Sequence, residues 1–188
     1  MSPAPGHPSR TRLRTFVATV EDVPGVLNRV ASLFRRRGYN IASLTVGQSE
    51  RPGLSRLTIV VGCDDATAAR VEANLWKLVD LVEVHELDAG QVVERDLALI
   101  KVRADLTSRA QVVQAAELFG ARVVDVAPTE LVVEITATRE RVDDLRRVLE
   151  PFGVIALVRT GAVAMPRAGV AEPSPLPLTA AAKAASGT

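Results

Sequence analysis

The chain is predicted to be an α+β protein in which one order, strand–helix–strand–strand–helix–strand, is run through twice. Short β-rich runs of Val, Ile, Leu and Thr alternate with stripes of apolar residues at helical spacing, and the alternation repeats in the same order. The helical stripes are bounded by residues suited to start and stop a helix. Hydrophobic residues make up 47% of the 188 positions and aromatic residues only 3%, so there is material for cores and they must be aliphatic.

In the first half, Thr15 to Val20 reads as a strand. Val26, Leu27, Val30, Ala31 and Phe34 then fall on one face of a helix. Pro24 suits the first turn of that helix, so the helix is expected to open at Pro24. Arg35 to Arg37 complement the negative end of its dipole, and Gly38 suits a left-handed stop. Ile41 to Gln48 and Leu54 to Val61 form a predicted hairpin around Arg51-Pro52-Gly53. Asp64 or Asp65 can cap a second helix burying Ala68, Val71, Leu75 and Leu78, and Val79 to Leu87 closes the half as a strand.

The second half begins near Glu94, with Leu97 to Val102 as its first strand. Ser108, with Gln111 three places on, makes a capping box for a helix burying Val112, Ala115, Ala116 and Phe119 and stopped by Gly120. Arg122 to Val126 and Leu131 to Thr136 flank a turn at Pro128-Thr129. Val142, Leu145 and Leu149 mark the last helix, broken at Pro151-Phe152-Gly153, and Val154 to Arg159 the last strand. Twice-repeated βαββαβ is the order of the ferredoxin-like split βαβ fold, with two helices on one face of an antiparallel sheet.

The expected organisation is a disordered leader over 1–12, a first domain over 13–90, a second over 91–165 and a disordered tail over 166–188. Each domain holds only about 75 residues, a size at which one core is marginal. Pairing of two chains, edge to edge or face to face, would relieve this and cover exposed strand edges, so a homodimer is expected.

Composition removes several function classes. A formal net charge of +1 gives no strong field for nucleic acid or an anionic membrane. The strands lack the stacking aromatics of an RNA-binding sheet. The single cysteine, Cys63, rules out an intrachain disulfide or a cysteine-held metal or iron–sulfur cluster, and reads as a small residue at a strand end. His7 and His85 leave little material for acid–base catalysis near neutral pH. No apolar run is long enough to cross a bilayer and the N-terminus lacks a signal-like apolar core, so a cytoplasmic chain is expected.

The most telling segment is Glu21-Asp22-Val23-Pro24-Gly25-Val26-Leu27, followed by Gly38-Tyr39-Asn40-Ile41. A strand feeds a tight turn that opens a helix, and the first amides of a helix have no partner within it. Gly25 has no Cβ, so a ligand can approach its backbone closely. The implied chemistry is recognition of a carboxylate.

Glu21 to Val30 resembles the opening of ACT domains, the amino-acid-sensing modules of biosynthetic enzymes. A longer stretch, Leu33-Phe34-Arg35-Arg36-Arg37-Gly38-Tyr39-Asn40-Ile41-Ala42-Ser43-Leu44-Thr45-Val46-Gly47, resembles the small regulatory subunit of acetolactate synthase (acetohydroxyacid synthase). So do Leu54-Ser55-Arg56-Leu57-Thr58-Ile59, Lys77-Leu78-Val79-Asp80-Leu81-Val82, the run from Val93 to Val102, and Val124-Asp125-Val126. The likeness spans roughly residues 12–165.

The resemblance implies a non-catalytic subunit that binds a thiamine-diphosphate-dependent large catalytic subunit, raises its activity and confers inhibition by valine or a related branched-chain amino acid. It implies no cofactor in this chain: thiamine diphosphate, magnesium and FAD would belong to the catalytic subunit. The first domain would be an ACT domain, and the effector (valine, leucine or isoleucine) would sit where two such domains meet. Carried over by position, Asp22, Gly25, Val26, Leu27, Asn40 and Ile41 would form the site.

The chemistry of those positions agrees. Backbone amides from Gly25 to Leu27 can bind a carboxylate, and Asp22 or Asn40 can accept from an ammonium group. Val26, Leu27 and Ile41 offer an apolar lining in which three or four carbon atoms would gain roughly 2–3 kcal/mol. That separates valine from alanine well and from leucine or isoleucine poorly. The alternative is a free-standing ACT-domain amino-acid sensor acting on another enzyme or a transcription regulator. The matched second half argues against it, because a bare sensor has no need of residues 94–160.

Overall fold

The computed structural model describes residues 11–88 and 90–170. The elements are β1 (Arg12–Glu21), α1 (Val26–Arg37), β2 (Ile41–Gln48), β3 (Leu54–Cys63), α2 (Asp65–Leu75) and β4 (Leu81–Leu87). They continue with β5 (Val92–Arg103), α3 (Arg109–Leu118), β6 (Arg122–Val126), β7 (Glu130–Ala137), α4 (Arg139–Leu149) and β8 (Val154–Pro166), with a 3-10 turn at Glu150–Phe152 before β8. They build two four-stranded sheets, ordered β2-β3-β1-β4 and β6-β7-β5-β8. Each places the first and third strands of its repeat in the middle, which is the split βαβ arrangement. Compact unit 1 runs to Val92 and takes up the chain again from Met165; unit 2 is Val93–Ala164.

Unit 1 follows from the alternation in its strands. Phe16, Ala18 and Val20 of β1 and Leu57, Ile59 and Val61 of β3 meet Val30, Leu33 and Phe34 of α1 and Val71 and Leu75 of α2. Fully burying each large apolar side chain is worth roughly 1.5–3 kcal/mol. β1 is antiparallel to both β3 and β4, and β2 adds to the far side of β3. Helix α1 ends as its sequence requires: Gly38 is left-handed at φ 67°, and Tyr39 N–H reaches the Phe34 carbonyl at 3.0 Å. Asp64 caps α2 by accepting from Thr67 N–H at 2.8 Å, and Asp65 occupies its first turn.

Unit 2 repeats the plan with its own core. Ile100 and Val102 of β5, Leu131 and Val133 of β7, Val112 of α3 and Leu145 and Leu149 of α4 are all buried. Phe119 is half-buried beside this core, its ring 5.3 Å from the Arg141 guanidinium carbon. Among the described residues no helix is long and apolar enough to cross a membrane.

Several sequence-based expectations are corrected. Pro24 does not open α1; it stands in the preceding turn and the helix starts at Val26. Gly25 has φ 88° and ψ −4°, the angles of the third position of a type II turn, which cannot be helical. The Ser108 capping box does not form either, because Ser108 has helical angles and makes no cap bond. Asp105 acts instead, its Oδ1 accepting from the backbone N–H groups of Thr107 at 3.0 Å and Ser108 at 2.9 Å. The Ser108 hydroxyl is taken up by the same residue, donating to Asp105 Oδ1 at 2.8 Å and accepting from Asp105 N–H at 3.1 Å, so it is not free to cap the helix.

The expected leader and tail also shrink. Arg12 already belongs to β1, paired with Cys63 in the ladder. β8 runs on past Arg159 because Asp96, only 2% exposed, receives Gly161 N–H at 3.2 Å. Beyond Pro166, Arg167 N–H bonds the Gln91 carbonyl at 2.8 Å. The remainder of the expected leader and tail, residues 1–10 and 171–188, lies outside the described residues.

Candidate functional site: the β1–α1 turn

Strand β1 delivers the chain to the turn, and three backbone bonds fix it there. Glu21 N–H bonds the Asp80 carbonyl at 2.9 Å, Asp22 N–H bonds the Gly53 carbonyl at 2.9 Å, and Val23 N–H folds back to Glu21 at 3.0 Å. The turn is thereby pinned between the β2–β3 hairpin and the entry to β4. Val26 N–H reaches the Val23 carbonyl at 3.4 Å, closing the turn over Pro24 and Gly25. The first bond of α1 runs from Arg29 N–H to the Gly25 carbonyl at 3.1 Å. The amides of Leu27 and Asn28 precede that bond, so no carbonyl of the helix can receive them.

No side chain caps α1, and its first turn holds no acidic residue. The partial positive charge at its start is therefore uncompensated by capping. Gly25 is exposed, so the backbone is approachable from outside. A Cβ on Gly25 would stand 3.3 Å from Arg29 Nη1. Such a turn can hold a small carboxylate through backbone donors and a positive field, without bond making.

The six predicted site residues fall into two groups. Asp22, Gly25, Val26 and Leu27 lie together at the turn. Asp22 and Leu27 are exposed, whereas Val26 is 7% exposed and packs in the core, so its side chain does not offer the apolar lining expected of it. Asn40 and Ile41 lie elsewhere. In the ladder Glu21 stands opposite Leu54 at one end of β3, and Ile41 stands opposite Val61 near the other. Those seven steps of strand, from Leu54 to Val61, span about 23 Å. One chain does not bring Asn40 to Gly25.

Arg29 and Asp80 were missed in the sequence reading. Arg29 Nε donates to Asp80 Oδ2 at 2.5 Å across 51 positions of chain. The available signal was a basic residue close to the start of a helix, the end where a positive charge is disfavoured.

The equivalent turn of unit 2 is chemically different. A cleft of about 330 Å³ there is lined by Arg103, Asp105, Ser108, Thr129, Glu130 and Phe152. Asp105 already fills the start of α3, and hydrogen bonds from Thr107 and Ser108 hold its carboxyl far below the usual carboxylate range. Cys63 is buried at the end of β3, and burial pushes its thiol up. His85 is half-buried on β4, where its Nε2 is buried with no partner among the described residues.

Two split βαββαβ units, the first opening its leading helix at an uncapped glycine turn, are ACT-like ferredoxin folds. Residues 16–83 match the family described as the AHAS small subunit-like ACT domain, and residues 95–168 match the small subunit of acetolactate synthase. The chain is 46% identical over 157 residues to the acetolactate synthase small subunit of Mycolicibacterium smegmatis, covering 84% of this chain and 92% of that one. It is 44% identical over 151 residues to a probable acetolactate synthase small subunit of Methanothermobacter thermautotrophicus, covering 80% and 90%. The crystal structure of the acetolactate synthase small subunit from Thermotoga maritima matches with a TM-score of 0.77 and 42% identity, over 83% of this chain and 98% of that chain. The chain belongs to the acetolactate synthase small-subunit family, and is thus a regulatory, non-catalytic subunit in branched-chain amino acid synthesis.

Proposed function

We propose that this chain senses a branched-chain amino acid at its β1–α1 turn and transmits that state to the large catalytic subunit of acetolactate synthase in the cytoplasm. The observation that carries the reading is Gly25 at φ 88°, opening an uncapped helix whose Leu27 and Asn28 amides have no helix carbonyl to receive them. The effector's carboxylate would lie on those amides. Its ammonium group would face Asp22 of the same chain or an Asn40 side chain, and its branched side chain would lie against Leu27 and an Ile41. Thiamine diphosphate, magnesium and FAD would be held by the catalytic chain.

The separation of Asn40 and Ile41 from the turn calls for a second copy. β2 is an edge strand, and its sequence, Ile41 to Gln48, contains no charged residue and no proline to discourage pairing. The opposite edge, β4, carries Glu83, His85 and Glu86. Two β2 edges pairing antiparallel about a two-fold axis would exchange ends, setting Asn40 and Ile41 of one copy toward the Gly25 turn of the other. The homodimer and the effector site are thus one proposal. Effector binding would favour a dimer geometry that activates the catalytic chain less well, by linkage.

Reconstitution tests it. The isolated chain should turn over no pyruvate, should raise the activity of the catalytic subunit on mixing, and should confer inhibition by at least one of valine, leucine and isoleucine. Unchanged activity in a verified complex would remove the activating role, and activation without any amino-acid response would remove the sensing role.

A further inference from the structure

A guanidinium stands over the Gly25 turn, held from the side by a buried acid. Asp80 precedes β4, and its side chain is 9% exposed. Its backbone carbonyl receives Glu21 N–H, so the carboxylate is fixed to the end of β1 that carries the turn. Its Oδ2 receives Arg29 Nε at 2.5 Å. This bond leaves Nη1 and Nη2 with no hydrogen-bond partner among the described residues. The Arg29 side chain is 40% exposed, and Nη1 lies 3.3 Å from the point where Gly25 would carry a Cβ.

The arrangement is poorly explained by helix stability. A cation near the positive end of a helix is disfavoured, and here it adds to unspent amides. Local rules broken in this manner mark a site that serves something else. We propose that Arg29 is the residue that binds the effector's carboxylate at the turn, and that Asp80 is a positioning residue that aims it. The inference rests on the effector reading of the turn and deepens it. Nε is committed to Asp80, and the planar guanidinium brings Nη1 to the space beside Gly25, with Nη2 on the same rigid fork. Two such donors match the two oxygens of a carboxylate, a geometry that a lysine ammonium lacks. The missing Cβ leaves that space open.

Isothermal calorimetry on the full chain with paired probes tests the assignment: L-valine, L-leucine and L-isoleucine, and each one's primary amide. An amide keeps the side chain and, in buffer well below the α-amino pKa of about 8, the ammonium group, while a neutral group with one oxygen acceptor replaces the carboxylate. The wild-type chain should bind at least one of the amino acids and bind its amide far more weakly. Arg29→Gln should weaken the amino acid by roughly 10- to 100-fold and leave the amide's affinity unchanged, so the preference collapses. Arg29→Lys should fall between, and it keeps a charge beside Asp80 should Arg29→Gln fail to fold. Equal weakening of amino acid and amide would show a purely structural role and overturn the inference alone, as would unchanged amino-acid binding. A wild-type chain that binds none of the three would overturn the effector reading and this inference with it.

Discussion

Gly25→Asp puts a carboxylate where the effector's own carboxylate is proposed to lie, and its cost can be worked from the turn. Gly25 sits at φ 88°, a conformation that costs an L-residue about 1–2 kcal/mol, with aspartate among the more tolerant. The new Cβ would stand 3.3 Å from Arg29 Nη1, the far end of a flexible side chain that can yield a few tenths of an ångström. An anion at an uncapped helix start returns about 0.3–1 kcal/mol. The net destabilisation should therefore stay near 1 kcal/mol, smaller than for Gly25→Ala, which meets the strain without the electrostatic return. For a unit of this size 1 kcal/mol lowers the midpoint of thermal unfolding by about 4–8 °C. Calorimetry with whichever of valine, leucine and isoleucine the wild-type chain binds should show binding abolished in the folded Gly25→Asp chain. Wild-type affinity in that variant would refute the site. A loss of stability well beyond that of Gly25→Ala would refute the charge argument.

Two other outcomes are expected. Val46→Lys alters an exposed position of edge strand β2, so it should leave the fold intact while setting like charges across a two-fold pairing. Sedimentation should show the dimer shifted toward monomer and valine affinity falling with it; a dimer unchanged in both respects would place the interface elsewhere. In unit 2, the carboxyl of Asp105 is held low by Thr107 and Ser108, so its contribution is fully present above the unfolded pKa of about 3.9 and is lost as pH falls through the lower folded value. Wild type should accordingly be more resistant to urea than Asp105→Asn at pH 7, with the gap narrowing in strong acid. A gap independent of pH would deny Asp105 its capping charge.

Much of the fold was legible because burial writes periodicity into the chain. β2 has the predicted bounds, Ile41–Gln48, since a stretch carrying Ile41, Thr45 and Val46 lies between the Gly38 helix stop and a Pro-Gly turn. The misreadings are competitions between local signals. Pro24 is favoured at a helix start, but Pro-Gly is also a type II turn signal, and the positive φ of Gly25 decides for the turn. Ser108 is a fair cap, but Asp105 three places earlier is a better one. Arg159-Thr160-Gly161 looked like the end of a strand, yet Asp96, far away in sequence, supplies the acceptor that carries β8 onward. Site residues on the turn were readable because a motif is local. The pairing of Arg29 with Asp80 was not, because it joins a helix to a segment across the sheet.

The division of the proposed site between two copies bears on how a chain without catalysis can regulate. Were Gly25, Asn40 and Ile41 gathered within one chain, effector binding would stabilise a protomer without altering how protomers meet. With the β3 partners of Glu21 and Ile41 about 23 Å apart, the proposed groups would act together only across an interface. Binding energy then enters as a preference for one pairing of chains over another. A bound valine side chain would supply roughly 2–3 kcal/mol by burial, and the charged groups would add to it. A differential of only about 1–3 kcal/mol between two dimer geometries shifts an equilibrium 5- to 150-fold, which suffices to modulate a bound enzyme. The same arithmetic bears on the proposed effector: one methylene is worth at most a few kcal/mol, so a lining by Leu27 and Ile41 would select a branched aliphatic class and no single member of it. Discrimination against metabolites that lack the acid must come from the charged end, where the turn amides and Arg29 stand.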